Sequence, residues 1–319
     1  MRRGTVRYGA QVRILVTGAA GFIGSHLTET LRARGDDVVP VDSFTDYYEP
    51  ARKHENARDL DVIDLDLETD DLDLLIGSVD HVFHLAGQPG VRASFGPGFE
   101  LYVRRNVLAT SRVFEVAARE GVRVVYASSS SVYGDAETYP TGEDAQPRPI
   151  SPYGITKLSC EHLAYAYARA TGLDAIGLRY FTVYGPRQRP DMAFTRLLEA
   201  LASDEAFHLF GDGSASRSFT YVDDAVSGTI AAMDRGRAGA IYNIGGGEEA
   251  SMKAVFALVQ DISGRVLRIE QDAAAVGDVR RTSADCRQAL EDLDWAASTS
   301  LADGLAAHWQ WVADRVGAA

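Results

Sequence analysis

The run from Val12 to Asp42 constrains this chain more than any other stretch. Val12-Arg13-Ile14-Leu15-Val16-Thr17 is short, apolar and β-branched, the composition of a parallel strand buried on both faces. It enters Gly18-Ala19-Ala20-Gly21-Phe22-Ile23-Gly24, and a helical pattern follows from Ser25 to Arg34. A second strand, Asp37 to Val41, ends in Asp42. Strand, glycine turn, helix and strand in this register open a doubly wound α/β sheet. Its glycines let the backbone approach a pyrophosphate at the helix N-terminus. An acid at the end of the second strand hydrogen-bonds ribose hydroxyls and repels a 2′-phosphate, so Asp42 predicts NAD rather than NADP. The glycines fall as Gly-x-x-Gly-x-x-Gly, not as the more familiar Gly-x-Gly-x-x-Gly.

A second constellation lies downstream. Tyr153-Gly154-Ile155-Thr156-Lys157 follows the serine run Ser128-Ser129-Ser130-Ser131. Tyr153 and Lys157, at i and i+4, share one helix face, and an ammonium beside a phenol favours the phenolate. A serine hydroxyl can share the proton in flight. The pair therefore reads as a base that works beside a dinucleotide. An ordinary amphipathic helix is the plainer alternative.

Composition bounds the rest. The chain has 319 residues, enough for one large α/β domain and a smaller one, and its 24% charged content is that of a globular enzyme. A net charge of −13 argues against nucleic-acid partners and requires local arginines for any anionic substrate. Cys160 and Cys286 stand alone, without metal or disulfide spacing, which fits a reducing cytoplasm. No apolar run reaches membrane-spanning length. Residues 1–11 read as a flexible arm.

Later strands are predicted at Val82–Ala86, Val122–Tyr126 and Ala175–Tyr180, with helices around Asn106–Glu120 and Tyr153–Thr171. His84, inside Val-Phe-His-Leu-Ala, reads as a core residue. Beyond Tyr180 the pattern loosens into arginines, prolines and turns from Gly185 to Gly213, before a strand at Ser218–Val222 and a helix from Asp223. The expected architecture is a Rossmann-type doubly wound parallel sheet (12–180 plus 223–244) with a smaller, discontinuous α/β substrate domain (181–222 plus 245–315).

With Tyr153 and Lys157, the glycine spacing resembles the extended short-chain dehydrogenase/reductases, the NAD-dependent epimerase/dehydratase family, which mostly act on nucleotide sugars. The resemblance spans about Val12 to Trp311. It implies that Ser129, Tyr153 and Lys157 are catalytic. It also implies an NAD site of Gly18, Gly21, Phe22, Ile23 and Gly24, with Asp42 and Ser43 at the ribose and Asp66 and Leu67 at the adenine. Leu85, Ala86, Gly87 and Asn106, with Tyr153 and Lys157, complete it toward the nicotinamide. Gly87 stands where alanine is commoner. A homodimer through a four-helix bundle of the two predicted helices is implied as well.

The substrate is argued from smaller differences. Family dehydratases carry Asp-Glu, and decarboxylases a glutamate, where this chain has Ser130 and Ser131. A hydroxyl cannot act as a carboxylate base, so epimerisation is favoured. Phe181-Thr182-Val183-Tyr184-Gly185-Pro186, followed by Arg189-Pro190-Asp191-Met192-Ala193-Phe194, resembles UDP-glucuronate 4-epimerases. Pro89-Gly90-Val91-Arg92 and Asp46-Tyr47-Tyr48 belong to the same pattern. The implied substrate contacts are Pro89, Arg92, Ser129, Ser130, Ser131 and Thr182. Arg189, Ala193, Phe194, Phe210 (against uracil, or else core), Arg217 (at the diphosphate) and Asp278 (at the uridine ribose) join them. Ala275 replaces an arginine common in relatives. An epimerase or dehydratase for a neutral hexose, or a non-catalytic nucleotide sensor, remain the alternatives.

Overall fold

The computed structural model describes residues 12–273 and 279–317. The chain opens with β1 (Arg13–Thr17), α1 (Phe22–Arg34), β2 (Asp37–Asp42), α2 (Pro50–Asn56), β3 (Ile63–Asp64), α3 (Asp73–Gly77) and β4 (His81–His84). It continues through α4 (Phe99–Tyr102), a π-wound turn at Val103–Leu108, α5 (Ala109–Glu120), β5 (Arg123–Ser129), α6 (Pro152–Thr171) and β6 (Ala175–Tyr180). These strands pair in parallel in the order β6-β5-β4-β1-β2-β3. The order reverses between β1 and β4, and in such sheets the crevice outside the strand ends at this point takes the ligand.

The sheet is apolar on both faces because helices cover both. Ile14, Val16, Phe83, Val125, Ile176 and Leu178 pack toward one side, and Leu15, Val82, Val124 and Phe114 toward the other. Each such side chain contributes roughly 1.5–3 kcal/mol on burial. Gly18 has φ 73°, and a Cβ there would meet the Ala86 nitrogen at 2.8 Å. Only glycine lets β1 turn that close to the end of β4.

After β6 the chain leaves the large sheet. Then come β7 (Thr182–Tyr184), α7 (Ala193–Ala202), β8 (Ala206–Phe210), β9 (Ser216–Tyr221), α8 (Val222–Arg235), β10 (Ile241–Ile244), β11 (Glu248–Ser251) and α9 (Met252–Ser263). The last elements are β12 (Arg268–Asp272), β13 (Arg281–Thr282), α10 (Arg287–Leu293) and α11 (Leu301–Gly317). Strand β10 returns to the large sheet as its seventh strand, beside β6. Strands β7, β9, β11 and β13 form a separate mixed sheet, while β8 pairs with β12. Their core is Phe194, Leu197, Leu198, Leu201, Phe207 and Phe219 against α9 and α11.

Two expectations are corrected. The stretch from Gly185 to Gly213 is not simply turns, since it holds α7 and β8. Phe194, Leu197, Leu198 and Leu201 recur at i, i+3, i+4 and i+7, and the neighbouring prolines obscured that helical stripe. The segment around α10, placed by sequence with the smaller unit, packs on the large one. Ala289, Leu293 and Trp295 belong to the core under α1 and α8, and the Trp295 indole donates to the Asp224 carbonyl at 3.1 Å.

Candidate active site

At the switch point the described residues line one cavity of about 440 Å³. Its near wall is the β1–α1 turn, where Gly18, Gly21, Phe22, Ile23 and Gly24 lie together. Asp42, at the end of β2, lines it with Ser43, and Asp66 and Leu67 follow beyond β3. The Asp42 carboxylate accepts hydrogen bonds from the Ala20 nitrogen at 3.1 Å and the Phe44 nitrogen at 2.9 Å. These bonds fix it beside the turn, as a ribose-binding acid must be fixed. A glycine turn at a helix N-terminus followed by a buried acid fits a dinucleotide.

Sequence reasoning missed Lys53, which faces the same wall from α2. Its ammonium lies 3.5 Å from Asp42 Oδ1 and donates to Thr45 Oγ1 at 3.0 Å. Burial lowers its pKa, while Asp42 works in the opposite direction. The chain has three lysines, Lys53, Lys157 and Lys253, and two of them line this cavity. That scarcity was the one available signal.

The far wall comes from β4, β5 and α6. Leu85, Ala86, Gly87 and Pro89 line it after β4, and Ser129, Ser130 and Ser131 after β5. Ser151 caps α6 by accepting from the Gly154 nitrogen, and Pro152 occupies the first turn, so the helix starts just before Tyr153. Tyr153 and Lys157 both face the cavity. The Lys157 ammonium donates to the Ala127 carbonyl of β5 at 2.9 Å, which ties the helix face to the strand end. The Tyr153 nitrogen donates to Ser94 Oγ at 3.1 Å, and the Tyr102 ring meets Tyr153 edge-on at 6.3 Å.

Gly87 has a local reason. A Cβ there would fall 2.8 Å from Asn106 Oδ1 and 3.4 Å from the Lys157 ammonium. Asn106 itself does not line the cavity. The π-wound turn directs it inward, where Oδ1 accepts from the Gln88 nitrogen at 2.7 Å and Nδ2 donates to Thr156 Oγ1 at 3.0 Å. It braces the cavity wall from behind. His84 is buried, with Thr17 and Thr110 hydroxyls 2.9 and 3.0 Å from its ring nitrogens. Burial pushes its pKa down to about 3, so the ring is a neutral core group, as the sequence predicts.

Thr182 sits where the chain passes from the large sheet to the small one. The Phe181 nitrogen still bonds the Ile244 carbonyl of the large sheet at 3.0 Å, whereas Thr182 pairs with Phe219 of the small one. Thr182 thus lines the cavity with Arg189. Arg189 donates to Asp191 at 2.9 and 3.0 Å, and the Tyr47 hydroxyl donates to the same carboxylate at 3.3 Å. Tyr47 also lines the cavity, a role its sequence motif alone did not assign.

Other predicted substrate contacts lie elsewhere. Phe194 is 2% exposed and tilted against Phe219 at 4.6 Å, a core position. Ala193 begins α7 beside it, outside the cavity lining, where Met192 stands instead. Phe210 is partly exposed, but the Arg92 guanidinium covers its ring at 4.1 Å, so the two meet each other rather than the cavity. Arg217 donates to the carbonyls of Ser216, Val279 and Arg280, holding the strand that begins at Arg281. Asp278 and Ala275 lie outside the described residues, as do residues 1–11.

Residues 14–245 match the model of the NAD dependent epimerase/dehydratase family. The chain belongs to that family. It is similar to the uncharacterized UDP-glucose epimerase YtcB of Bacillus subtilis, at 41% identity over 92% of this chain and 96% of that protein. It is 34% identical to the UDP-glucuronate 4-epimerase of Thermodesulfobacterium geofontis, covering 95% and 96% of the two chains. Among solved structures, the UDP-glucuronic acid 4-epimerase of Bacillus cereus with UDP-glucuronic acid and NAD superposes with a TM-score of 0.92. Its identity is 39%, over 95% of this chain and 99% of that one. The family is NAD-dependent, and the Rossmann-type parallel sheet is the one its members share.

Proposed function

We propose that this protein is an NAD-dependent UDP-glucuronate 4-epimerase, interconverting UDP-glucuronate and UDP-galacturonate through a 4-keto sugar. Bound NAD supplies the hydride acceptor and donor. Tyr153 takes the proton of the C4 hydroxyl, Lys157 holds the nicotinamide ribose, and Ser129 shares the proton. The observation that carries the reading is the cavity wall of Ser130, Ser131, Thr182 and Arg189 around this constellation. Hydroxyls and a guanidinium can hold a C5 carboxylate by charge-assisted hydrogen bonds. A carboxylate side chain at Ser130 or Ser131 would repel it. Relatives and a solved neighbour with UDP-glucuronate and NAD, at 34% and 39% identity, support the assignment.

Epimerisation of UDP-glucose is the second reading, favoured by the name of the 41% identical relative. Proton NMR of products from UDP-glucuronate, UDP-glucose and UDP-N-acetylglucosamine separates the two. UDP-galacturonate should form fastest, and faster turnover of either neutral sugar would refute the carboxylate reading.

The same reading makes 12–180, 223–244 and the α10 segment the NAD-binding unit, with the other segments after Tyr180 forming the sugar-nucleotide unit. Arg92, Phe210, Arg217 and Asp278 then contact the substrate, Phe210 at the uracil, Arg217 at the diphosphate and Asp278 at the uridine ribose. We place the protein in the cytoplasm. Two free cysteines support this, and no helix among the described residues is long and apolar enough to cross a membrane. Leu108, Ile155 and Tyr165, exposed around α5 and α6, suit a homodimer through a four-helix bundle.

A further inference from the structure

The turn Ser129-Ser130-Ser131-Val132 brings three hydroxyl side chains to the cavity wall, but groups behind that wall hold it at both ends. Before it, the Ser128 hydroxyl donates to Glu161 Oε1 at 2.5 Å. After it, the Tyr133 hydroxyl accepts from Arg179 at 2.8 Å and donates to Asn243 Oδ1 at 2.7 Å. Glu161, on α6, and Arg179, on β6, form a two-pronged pair at 2.9 and 2.8 Å, and each side chain is only 4% exposed. The guanidinium also covers the Tyr133 ring at 4.7 Å. One buried ion pair therefore grips both ends of the turn, while neither ion lines the cavity.

Stability alone does not account for such a pair, because apolar residues of equal volume often serve a fold as well or better. What the ions add is direction. A planar guanidinium bound to both carboxylate oxygens fixes where Ser128 and Tyr133 must point. From this we infer that Glu161 and Arg179 are positioning residues that set the orientation of the Ser129–Ser131 hydroxyls. Through them, the pair sets how the 4-keto sugar divides between epimerisation and loss of carbon dioxide. The inference rests on UDP-glucuronate as substrate.

The chemistry explains why orientation matters. With a ketone at C4, the C5 carboxylate is β to a carbonyl. When the C5–carboxylate bond aligns with the carbonyl π system it can break, its electron pair forming the C4 enolate as carbon dioxide leaves. Protonation at C5 and return of hydride to C4 then give a UDP-pentose. Hydroxyls in fixed positions hold the bond out of that alignment, and displaced ones let it rotate.

Ser128→Ala and Tyr133→Phe each free one end of the turn without opening the ion pair, so both should fold, with melting temperatures near the parent's. Each should raise the ratio of UDP-pentose to UDP-galacturonate on the order of tenfold, read by proton NMR, and raise KM for UDP-glucuronate more than for UDP-glucose. Parental ratios and parental kcat in both folded variants would overturn the clamp. Ser131→Ala, assayed alongside, keeps the substrate reading separate. If it leaves the ratio unchanged while the other two variants raise it, the clamp stands and the Ser131 carboxylate contact is wrong. Should the parent turn over only UDP-glucose, the substrate reading fails. The clamp is then judged by kcat on UDP-glucose through Ser129, where a loss in both variants supports it and no change refutes it.

Discussion

Asp42 and Tyr153 show how single side chains set cofactor and chemistry. The Asp42 carboxylate is held by two backbone N–H groups and faces Lys53. Asp42→Asn keeps the shape and removes the charge that repels a 2′-phosphate, leaving Lys53 without its counterion. The ratio of dissociation constants for NADP and NAD should fall at least about tenfold by titration, since a charge-assisted contact is worth roughly 1.5–3 kcal/mol. Equal parental affinity for both would sink the cofactor argument. Tyr153→Phe removes one hydroxyl and leaves the ring beside Tyr102, so KM should stay near the parent's while kcat drops about 10²–10⁴-fold. Ser131→Ala and Thr182→Ala test the opposite wall. Each should lower kcat/KM for UDP-glucuronate more than for UDP-glucose, by on the order of tenfold for one lost charged hydrogen bond. These residues were legible because each stands in a short motif. Lys53 was less so, having only its rarity, while Asn106 was named through the family pattern but braces Gln88 and Thr156 at distances no spacing encodes.

Among the elements, β1, β2 and β6 were readable because a strand buried on both faces is continuously apolar. Helix α7 was not, since Gly185, Pro186 and Pro190 sit just before its four-residue apolar stripe. The seam at Phe181–Thr182 was also invisible, because leaving one sheet for another changes pairing partners and not composition. Packing between elements has a pH consequence. His26, His81, His84 and His308 all have pKa values lowered by burial, His84 and His308 to about 3. Unfolded, each would titrate near 6.5, so the unfolded chain binds more protons as pH drops below that value. Stability should therefore fall from pH 7 to pH 5, by up to about 1.4 kcal/mol per pH unit for each fully neutral buried histidine. Glu143, raised by burial, contributes in the opposite sense near its own titration. Urea midpoints at pH 7.5, 6 and 5 measure the slope. His84→Gln should flatten it, and an unchanged slope would remove His84 from the account.

The whole molecule places its chemistry where two sheets part, and part of its exposed apolar surface lies on α6 and just before α5. Tyr165 is 69% exposed, Leu108 53% and Ile155 48%, while the opposite sides of the same helices are buried against β5 and β6. Exposed large apolar side chains favour association when a matching face is available. The homodimer proposed above would supply one, with α5 and α6 from each copy making four helices related by a twofold axis. Tyr165→Glu and Ile155→Asp put charges on exposed positions of α6 and leave the sheet untouched. The parent should elute as a dimer by size-exclusion chromatography with light scattering, and the double variant as a monomer with a similar circular-dichroism spectrum. Tyr153 and Lys157 lie on α6 as well, so a monomer that folds should also lose part of its turnover as that helix loses support. A parent that is monomeric at assay concentrations, or a double variant that remains dimeric, would place the interface elsewhere.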